Sequence, residues 1–254
     1  MKVLVVGAGG REHALCWAIA RSPRCEQVIC APGNAGTALV AEIAPVAIDD
    51  IPGLVGLAKT RAVDLVVIGP EQPLADGLAD ALAYVGVRVF GPLKNAAEIE
   101  ASKSFMKAVC ADAGVPTATY ARYAANDVGD AIAHARSHFA EAPNEPLVVK
   151  ADGLAAGKGV VVAATEAEAL AAVNDALTAA RFGDAGRTVL LEQFLNGEEL
   201  SFFAVSDGKT AVPLGWAQDH KRAFDGDEGP NTGGMGAYSP PPMVDSALDE
   251  EVMR

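Results

Sequence analysis

The sequence lacks an excess of positive charge. It has 20 lysine and arginine residues against 33 aspartate and glutamate residues, which gives a formal net charge of −13 over 254 residues. A chain with this charge repels a nucleic-acid backbone at long range, and its basic runs are too short to reverse the effect locally. We therefore predict no nucleic-acid partner, since short basic runs such as residues 219–222 suit a small anionic ligand better than a polyanion.

Cysteines and long apolar runs are also scarce. The four cysteines form no C-x-x-C pair, and most lie in apolar runs, where a thiol acts as a small hydrophobic group, which fits a reducing cytoplasm. The first apolar run, residues 3–6, is broken by Gly7, and no run reaches the roughly 20 residues that a membrane-spanning helix needs. The sequence thus predicts a cytoplasmic protein with neither a signal peptide nor a membrane span.

Short apolar runs alternate with helical stretches over the first part of the chain. This pattern predicts βαβ units around a parallel sheet. The predicted strands are residues 3–6, 27–31, 46–48, 65–68 and 88–90. The clearest of them end in loops rich in glycine, proline or asparagine, at residues 7–10, 32–36 and 69–73. In open α/β sheets, ligands bind at such strand ends.

From about residue 115 the pattern becomes denser in strands and predicts a second domain. A connector helix that Ser102 caps ends before Gly114. Further strands are predicted at residues 119–123, 147–150, 159–163, 189–194, 200–205 and 211–216. One helix is predicted to begin near residue 126 and another, with a capping box at Thr165, to run to about residue 180. A third begins after Asp245 or Ser246. Residues 218–242, rich in Gly, Pro, Asp and Asn, are interpreted as a functional loop, with disorder as the alternative.

A glycine-rich loop at residues 150–159 separates two of these strands. It is not a Walker A loop, because only three residues separate Gly153 from Gly157 and a strand, not a helix, follows Gly159. Its glycines let backbone N–H groups approach phosphate oxygens, and Lys150 and Lys158 supply positive charge. The sequence predicts a phosphate-binding hairpin, with a surface hairpin of solvated lysines as the alternative.

The loop after the first strand has part of a dinucleotide-binding fingerprint. Gly7 and Gly9 fit its first two glycines, but Glu12 stands at the third position. The second strand is followed by Pro32 and Gly33 rather than by an acidic residue for a ribose. The sequence therefore disfavours an NAD-dependent oxidoreductase, which stays as a rival interpretation.

Taken together, several segments resemble the glycinamide ribonucleotide synthetases, also called phosphoribosylamine–glycine ligases, of the ATP-grasp superfamily. They are residues 5–15, 31–37, 69–71, 150–160, 218–222 and 229–240, and they span nearly the whole chain. The resemblance implies an α/β fold: an N-terminal Rossmann-like parallel-sheet domain at 1–100, a connector helix at 101–116, an ATP-grasp small lobe at 117–195 and an incomplete ATP-grasp large lobe at 196–254.

The resemblance also implies a reaction. It is the ATP-dependent ligation of glycine to 5-phosphoribosylamine, which gives glycinamide ribonucleotide, ADP and phosphate through a glycyl phosphate intermediate in de novo purine biosynthesis. Phosphorylation gives the carboxylate a leaving group, so catalysis is mainly positioning and charge neutralisation. No residue is predicted to act as a covalent nucleophile.

Site residues follow from the resemblance. Those assigned to ATP are Lys103, Lys150, Gly153, Gly157, Lys158, Gly159, Glu192, Gln193, Phe194, Leu195 and Glu199. Among them, Glu192 and the backbone of 193–195 are assigned to the adenine, and Glu199 to the ribose. The residues assigned to the substrates are Gly9, Gly10, Asn34, Gly36, Thr37, Gly69, Pro70, Glu71, Asp219, Lys221, Asn231, Thr232, Gly233, Gly234 and Met235.

The sequence lacks the metal-ligand pattern that is expected of the family. The family is expected to use Mg²⁺ or Mn²⁺ held by a late Glu-x-Asn pair, and nothing after residue 200 has that pattern. His134 and His138 have i, i+4 spacing but no third ligand nearby, and are interpreted as a helix face. We therefore predict no metal ligands here and expect a truncated form with impaired activity.

Two alternative functions stay open: a non-catalytic nucleotide-binding fragment, and another ATP-grasp carboxylate–amine ligase. No oligomeric state is predicted.

Overall fold

The computed structural model describes residues 1–155, 159–179, 181–226 and 228–253, with the backbone alone for Pro230 and Asn231. Contacts between residues divide the chain into two compact units, Met1–Gln193 and Phe194–Arg254. Among the described residues, no helix is both long enough and apolar enough to cross a membrane.

A five-stranded parallel sheet begins the first unit. Its strands are β1 (Lys2–Gly7), β2 (Gln27–Pro32), β3 (Glu42–Ile43), β4 (Leu65–Ile68) and β5 (Arg88–Phe90), in the order β3-β2-β1-β4-β5. The helices are α1 (Gly10–Ala20), α2 (Ile51–Thr60), α3 (Glu71–Asp76), α4 (Leu78–Tyr84), α5 (Lys94–Ala101) and α6 (Lys103–Ala113), with a 3₁₀ turn at Thr37–Leu39. This is the predicted Rossmann-like arrangement, with α5 added.

Both faces of this sheet are buried, which explains its apolar strands. On one face Leu4 and Val6 of β1 belong to a core with Leu54 of α2 and Leu82 of α4. On the other face Val3 and Val5 belong to a second core that includes Cys16 of α1. The alternation of side chains along β1 thus serves two cores at once.

The prediction of a strand at residues 46–48 is wrong. The chain pairs with β2 earlier, at Glu42–Ile43, and then leaves the sheet. Pro45 has no N–H to donate to a neighbouring strand, and the N–H of Val46 turns back to the carbonyl of Ala44 at 2.8 Å. Val46 and Ile48 still pack against the core, which is why the segment reads as a strand in the sequence.

The connector helix α6 begins and ends as predicted. The Ser102 hydroxyl accepts a hydrogen bond from the N–H of Phe105 at 3.2 Å, which caps the helix. Gly114 ends it with a φ of 70°, in the left-handed region that glycine adopts without strain.

A four-stranded antiparallel sheet completes the first unit. Its strands are β6 (Tyr120–Ala124), β7 (Leu147–Ala151), β8 (Val160–Ala163) and β9 (Thr188–Gln193), in the order β6-β9-β7-β8. Helices α7 (Val128–Glu141) and α8 (Glu166–Leu177) share one core with Leu147, Val149 and Leu191. Side chains alternate along strands, so Tyr120, Lys150 and Glu192 lie on the opposite face.

The cap of α8 differs in part from the predicted capping box. Thr165 accepts a hydrogen bond from the N–H of Glu168, as predicted. The Glu168 carboxylate, however, accepts from the N–H of Ala164 at 2.8 Å, one residue before the cap. The helix still gains two satisfied donors at its start.

Over its described residues, the second unit contains five strands and one helix. They are β10 (Ser201–Ser206), β11 (Ala211–Asp219), β12 (Arg222–Phe224), β13 (Glu228–Asn231), β14 (Ala237–Tyr238) and α9 (Ser246–Val252), which Asp245 caps. The interpretation of residues 218–242 as a loop is therefore wrong, because this segment contains β12, β13 and β14. β12 pairs with β13, and β14 with β11. Strands β12, β13 and β14 have only two to four residues and no apolar alternation, so no sequence pattern indicated them.

Candidate functional site

Three of the predicted substrate loops meet at one edge of the parallel sheet. The N–H of Gly33 donates to the carbonyl of Gly7 at 3.1 Å, and the N–H of Gly69 donates to the carbonyl of Val6 at 3.0 Å. The Asn34 amide donates to the carbonyl of Ala8 at 2.8 Å, across from the second loop to the first. The carboxyl ends of β1, β2 and β4 thus form a single polar edge, where open α/β sheets bind ligands.

Asn34 and Thr37 shape the second of these loops. The Oδ1 atom of Asn34 accepts hydrogen bonds from the N–H groups of Gly36 and Thr37, at 2.8 and 2.9 Å. The Thr37 hydroxyl accepts from the N–H of Asn34 at 2.6 Å and is buried. These contacts occupy both side chains within the loop, whereas Gly9 and Gly10 of the first loop are exposed.

Glu12 is the buried centre of this edge. Its side chain is 4% exposed, its Oε2 atom accepts from the N–H of Gly9 at 2.7 Å, and its Oε1 atom accepts from Nε of Arg11 at 2.8 Å. A Cβ atom added at Gly7 or Gly69 would overlap the Glu12 side chain. The glycines therefore make room for a carboxylate, and the position of the third fingerprint glycine is filled by its side chain.

Arg11 is a residue that sequence reasoning missed. Its guanidinium also donates to Oε1 of Glu71 at 2.9 Å, so it bridges Glu12 and Glu71 while its own side chain stays half exposed. Burial is the largest influence on the pKa of Glu71 and raises it, but the hydrogen bond from Arg11, a backbone hydrogen bond and the charge of Arg11 together lower that pKa. Arg11 places a fixed cation at the start of α1, where anions are favoured.

The close packing at this edge gives a testable prediction. We expect Gly69→Ala to destabilise the first unit by about 1–3 kcal/mol, the usual cost of overpacking, because the new Cβ meets Glu12. Gly10→Ala is the matched control, since a Cβ there has no atom within 4 Å. Urea denaturation monitored by circular dichroism measures both. Equal stability of the two variants would contradict the packing role of Glu12.

A cluster of lysines surrounds Glu192 on the second sheet. The Nζ atoms of Lys150 and Lys107 lie 2.9 and 3.2 Å from the same carboxylate oxygen, Oε2 of Glu192. Glu192 and Lys107 are almost fully buried, with 3% and 2% of their side chains exposed, whereas Lys150 is 29% exposed. Within the part of the chain that the structure describes, Oε1 of Glu192 is buried and has no hydrogen-bond partner.

Helix α6 is joined to the start of the glycine-rich loop beside this cluster. The Asp152 carboxylate accepts from the N–H of Ser104 at 2.6 Å and from the Ser102 hydroxyl at 3.1 Å. Nζ of Lys103 donates to the carbonyl of Gly153 at 3.1 Å. Burial lowers the pKa of Lys103, with a further lowering from the charge of Lys150, although Asp152 opposes the change.

The two described glycines of the loop serve close packing. A Cβ atom at Gly153 would lie 2.8 Å from the Cα atom of Ala185, and one at Gly159 would lie 2.7 Å from Cβ of Ala155. Gly157 and Lys158, which were predicted to bind phosphate, lie outside the described residues.

At the end of β9, the predicted adenine-binding backbone is partly engaged. The N–H of Gln193 donates to the carbonyl of Thr119 at 3.0 Å. Phe194 and Leu195, which begin the second unit, expose 37% and 62% of their surface.

In the second unit, a lysine joins residues that were assigned to different ligands. Nζ of Lys221 lies 2.6 Å from Glu199 and 3.1 Å from Asp219. The hydrogen bond to Glu199 is the main cause that raises the pKa of Lys221. Thr232 donates through its N–H and its hydroxyl to the carbonyl of Lys221, at 2.6 and 2.9 Å.

The segment after Thr232 folds back over the start of β12. The N–H of Met235 donates to the carbonyl of His220 at 2.7 Å, and the N–H of Gly234 donates to the Thr232 hydroxyl at 3.0 Å. Gly234 has a φ of 113°, and a Cβ atom at Gly233 would meet no atom within 4 Å. The side chain of Asn231 lies outside the described part of the chain.

The two spaced histidines of α7 have other partners. The Tyr123 hydroxyl and Nδ1 of His134 are 2.8 Å apart, and Nε2 of His138 lies 2.8 Å from the carbonyl of Glu145. Over the described ranges, no three His, Cys, Asp or Glu side chains are grouped so that they could hold a metal ion.

Comparison with known proteins identifies relatives over the whole chain. Residues 1–100 match the family model of the phosphoribosylglycinamide synthetase N domain, and residues 101–254 match that of the phosphoribosylglycinamide synthetase ATP-grasp (A) domain. The chain is 54% identical over 254 residues to the phosphoribosylamine–glycine ligase of Brucella melitensis and 53% identical to that of Agrobacterium fabrum. Both matches cover 100% of this chain and 58% of the relative, so the chain spans about three fifths of these relatives.

Solved structures show the same fold. The crystal structure of the phosphoribosylamine–glycine ligase of Thermotoga maritima matches with a TM-score of 0.76 and 31% identity, over 100% of this chain and 59% of that one. The biotin carboxylase domain of Hydrogenobacter thermophilus 2-oxoglutarate carboxylase matches with a TM-score of 0.70 and 19% identity, over 99% of this chain and 56% of that one. The second likeness concerns the fold alone.

Proposed function

Because the chain belongs to the phosphoribosylglycinamide synthetase family, we propose that it carries the nucleotide site and part of the substrate site of a ligase that joins glycine to 5-phosphoribosylamine. The proposed reaction consumes ATP and gives glycinamide ribonucleotide, ADP and phosphate, as a step of de novo purine biosynthesis in the cytoplasm. Its partners are these small molecules, with neither nucleic acid nor membrane.

We assign the proposed parts to four segments. Residues 1–100 form the Rossmann-like substrate domain, 101–116 the connector, 117–195 the ATP-grasp small lobe and 196–254 the start of the large lobe. The family-model boundary after residue 100 supports the first division. The contact-based boundary, Gln193 to Phe194, falls two residues before the proposed start of the large lobe.

The main support for the nucleotide site is the buried Oε1 atom of Glu192, which has no hydrogen-bond partner among the described residues. A buried carboxylate oxygen without a partner costs free energy unless a ligand or water supplies a donor, and the amino group of adenine is such a donor. Lys150 and Lys103 lie beside it and supply the cations that a triphosphate needs. Within the first unit, Glu192, Lys150 and Lys103 therefore fit ATP. The assignments of Glu199 to the ribose and of residues 150–159 to the phosphates rest on the family resemblance.

The chemistry required of these residues is charge neutralisation and alignment. A carboxylate has no leaving group, so the terminal phosphoryl group of ATP passes to glycine, and the amine of 5-phosphoribosylamine then displaces phosphate as the C–N bond forms. Lys103 and Lys150 offset the negative charge of the transferred group, and no covalent nucleophile takes part. At the edge of the first sheet, Arg11 offers a cation to the phosphate of 5-phosphoribosylamine.

Magnesium is expected to accompany ATP in the family. The described residues provide no group of three or more His, Cys, Asp or Glu side chains that could hold the ion. We therefore assign no step of the reaction to a metal held by this chain, and we propose that the chain alone turns over poorly.

ADP formation in the presence of glycine and 5-phosphoribosylamine tests this function. We expect the full-length Brucella melitensis relative to form ADP only when both substrates are present, and this chain to form it far more slowly under the same conditions. A rate equal to that of the relative would contradict the impaired activity. ADP formation by this chain that requires another acid or amine would instead favour a different ATP-grasp ligase.

Lys103 makes the proposed ATP site dependent on pH. Because burial lowers its pKa, it loses its proton at a lower pH than an ordinary lysine, and ATP affinity should fall as the pH rises through that range. Lys103→Arg keeps its charge, so its affinity should persist to higher pH. Titration with ATP at several alkaline pH values measures the difference. Identical pH profiles for the two proteins would exclude Lys103 from the phosphates.

A further inference from the structure

Lys107 is a buried lysine that the proposed reaction leaves without a role. It lies one helical turn after Lys103 on α6, and 2% of its side chain is exposed. Its Nζ atom donates to the Thr117 hydroxyl and to the carbonyl of Ala118, both at 2.9 Å. With Oε2 of Glu192 at 3.2 Å, these acceptors account for the three donors of an ammonium group.

Lys107 and Lys150 therefore differ in what they can bind. Lys107 is buried and its donors are used within the protein. Lys150 donates to the same Glu192 oxygen at 2.9 Å but remains 29% exposed, which leaves it donors for a ligand. The two lysines share one carboxylate although only one of them is accessible.

The charges of this cluster explain why a second lysine matters. One carboxylate between two ammonium groups leaves a net charge of +1, because Lys107 neutralises Glu192 and the charge of Lys150 is left over. Without Lys107, Glu192 would neutralise Lys150 instead. Electrostatic interactions in such a buried position are stronger than in water, so the loss would weaken the attraction of Lys150 for an anion.

Lys107 also fixes the direction of the Glu192 carboxylate. It holds Oε2 from the side of α6 while Lys150 holds the same atom from β7, so Oε1 is the oxygen left as an acceptor. A fixed acceptor favours the amino group of adenine and disfavours the carbonyl oxygen that guanine carries at the equivalent position. Loss of either anchor would let the carboxylate turn.

We propose that Lys107 is a positioning residue for nucleotide recognition: it neutralises and orients Glu192, so that Lys150 is free for the phosphates and Oε1 of Glu192 selects adenine over guanine. This inference rests on the proposed ATP site. Lys107 itself touches no ligand.

Titration calorimetry of the 254-residue chain with ATP and with GTP tests the proposal. In Lys107→Met, we expect the Kd of ATP to rise about tenfold, because Glu192 would then neutralise Lys150 and the triphosphate would lose about one charge-assisted hydrogen bond. We also expect the preference for ATP over GTP to shrink. The exposed Lys59 gives the control, since Lys59→Met should bind both nucleotides as the unmodified chain does. In a Glu192→Gln background, Lys107→Met should have little further effect on either Kd, because Lys107 acts through Glu192.

The outcomes separate the inference from the function on which it rests. If the unmodified chain binds no ATP, the proposed nucleotide site is wrong, and so is the positioning role of Lys107 that rests on it. If it binds ATP and Lys107→Met merely melts at a lower temperature, with both Kd values unchanged, Lys107 is structural and only this inference is overturned. If Lys107→Met does not fold, Thr117→Val removes one anchor and keeps the charge, and an unchanged preference for ATP over GTP in that variant overturns the inference equally.

Discussion

Replacement of Glu192 by alanine is expected to lower the free energy of unfolding of the first unit by about 3–5 kcal/mol, the usual effect of removing one partner of a buried ion pair. The reason is Lys107, which is 2% exposed and would lose the carboxylate with which it pairs. A lysine in that position cannot turn towards solvent without breaking its contacts to Thr117 and Ala118.

Urea denaturation followed by circular dichroism measures this change. Glu98→Ala is a suitable control because Glu98 is exposed on α5, and surface substitutions of this kind usually change stability by less than about 0.5 kcal/mol. A loss below about 1 kcal/mol for Glu192→Ala, close to what an exposed pair contributes, would show that the cluster is solvated rather than buried.

Replacement of Lys150 by methionine is expected to weaken ATP binding about 10- to 100-fold, since hydrogen bonds to charged groups contribute about 1.5–3 kcal/mol. Lys150 is the half-buried member of the cluster and faces away from α7 and α8. Its loss should affect stability less than the loss of Glu192, because Lys107 still pairs with that carboxylate.

Calorimetric titration with ATP compares Lys150→Met with Lys59→Met, which removes a lysine from the surface of α2. We expect only the first to lose affinity. An equal Kd for both variants would mean that the triphosphate does not lie beside Lys150, and would move the nucleotide site elsewhere.

Much of the fold follows from local patterns in the sequence. The apolar runs of β1, β2 and β4 predict a parallel sheet because both faces of these strands are buried. Ser102 and Gly114 mark the two ends of α6, since a hydroxyl satisfies the first N–H groups and glycine adopts the left-handed conformation.

Other elements depend on contacts that no local pattern records. β3 lies before Pro45 rather than after it, because the pairing with β2 is set by backbone hydrogen bonds. The short strands β12, β13 and β14 are likewise held by pairing rather than by apolar alternation. In such segments, tertiary contacts decide the conformation.

Only some residues of the candidate site have a local signal in the sequence. Glycines and lysines of the 150–159 loop stand out in the sequence, and Glu192 is assigned to ATP only through the family resemblance, whereas no sequence pattern singles out Lys107. Their burial arises only when α6 packs against the face of the second sheet that carries Glu192. The i, i+4 spacing of Lys103 and Lys107 is the one local signal that places both on the same side of α6.

Glu12 shows how a partial motif changes meaning in the structure. Gly7 and Gly9 resemble a dinucleotide fingerprint, yet the Glu12 side chain fills the space that they leave. The third glycine of that fingerprint serves close packing of helix on strand, and here a carboxylate bonded to Gly9 and Arg11 takes its place. This packing removes the physical basis for the NAD-dependent alternative.

Calorimetric titration of the unmodified chain with ATP, in parallel with NAD and GTP, tests the central claim most directly. We predict saturable binding of one ATP per chain, weaker binding of GTP and none of NAD. Saturable binding of NAD, or the absence of any saturable heat with ATP, would contradict the assignment of Glu192, Lys150 and Lys103 to an ATP site.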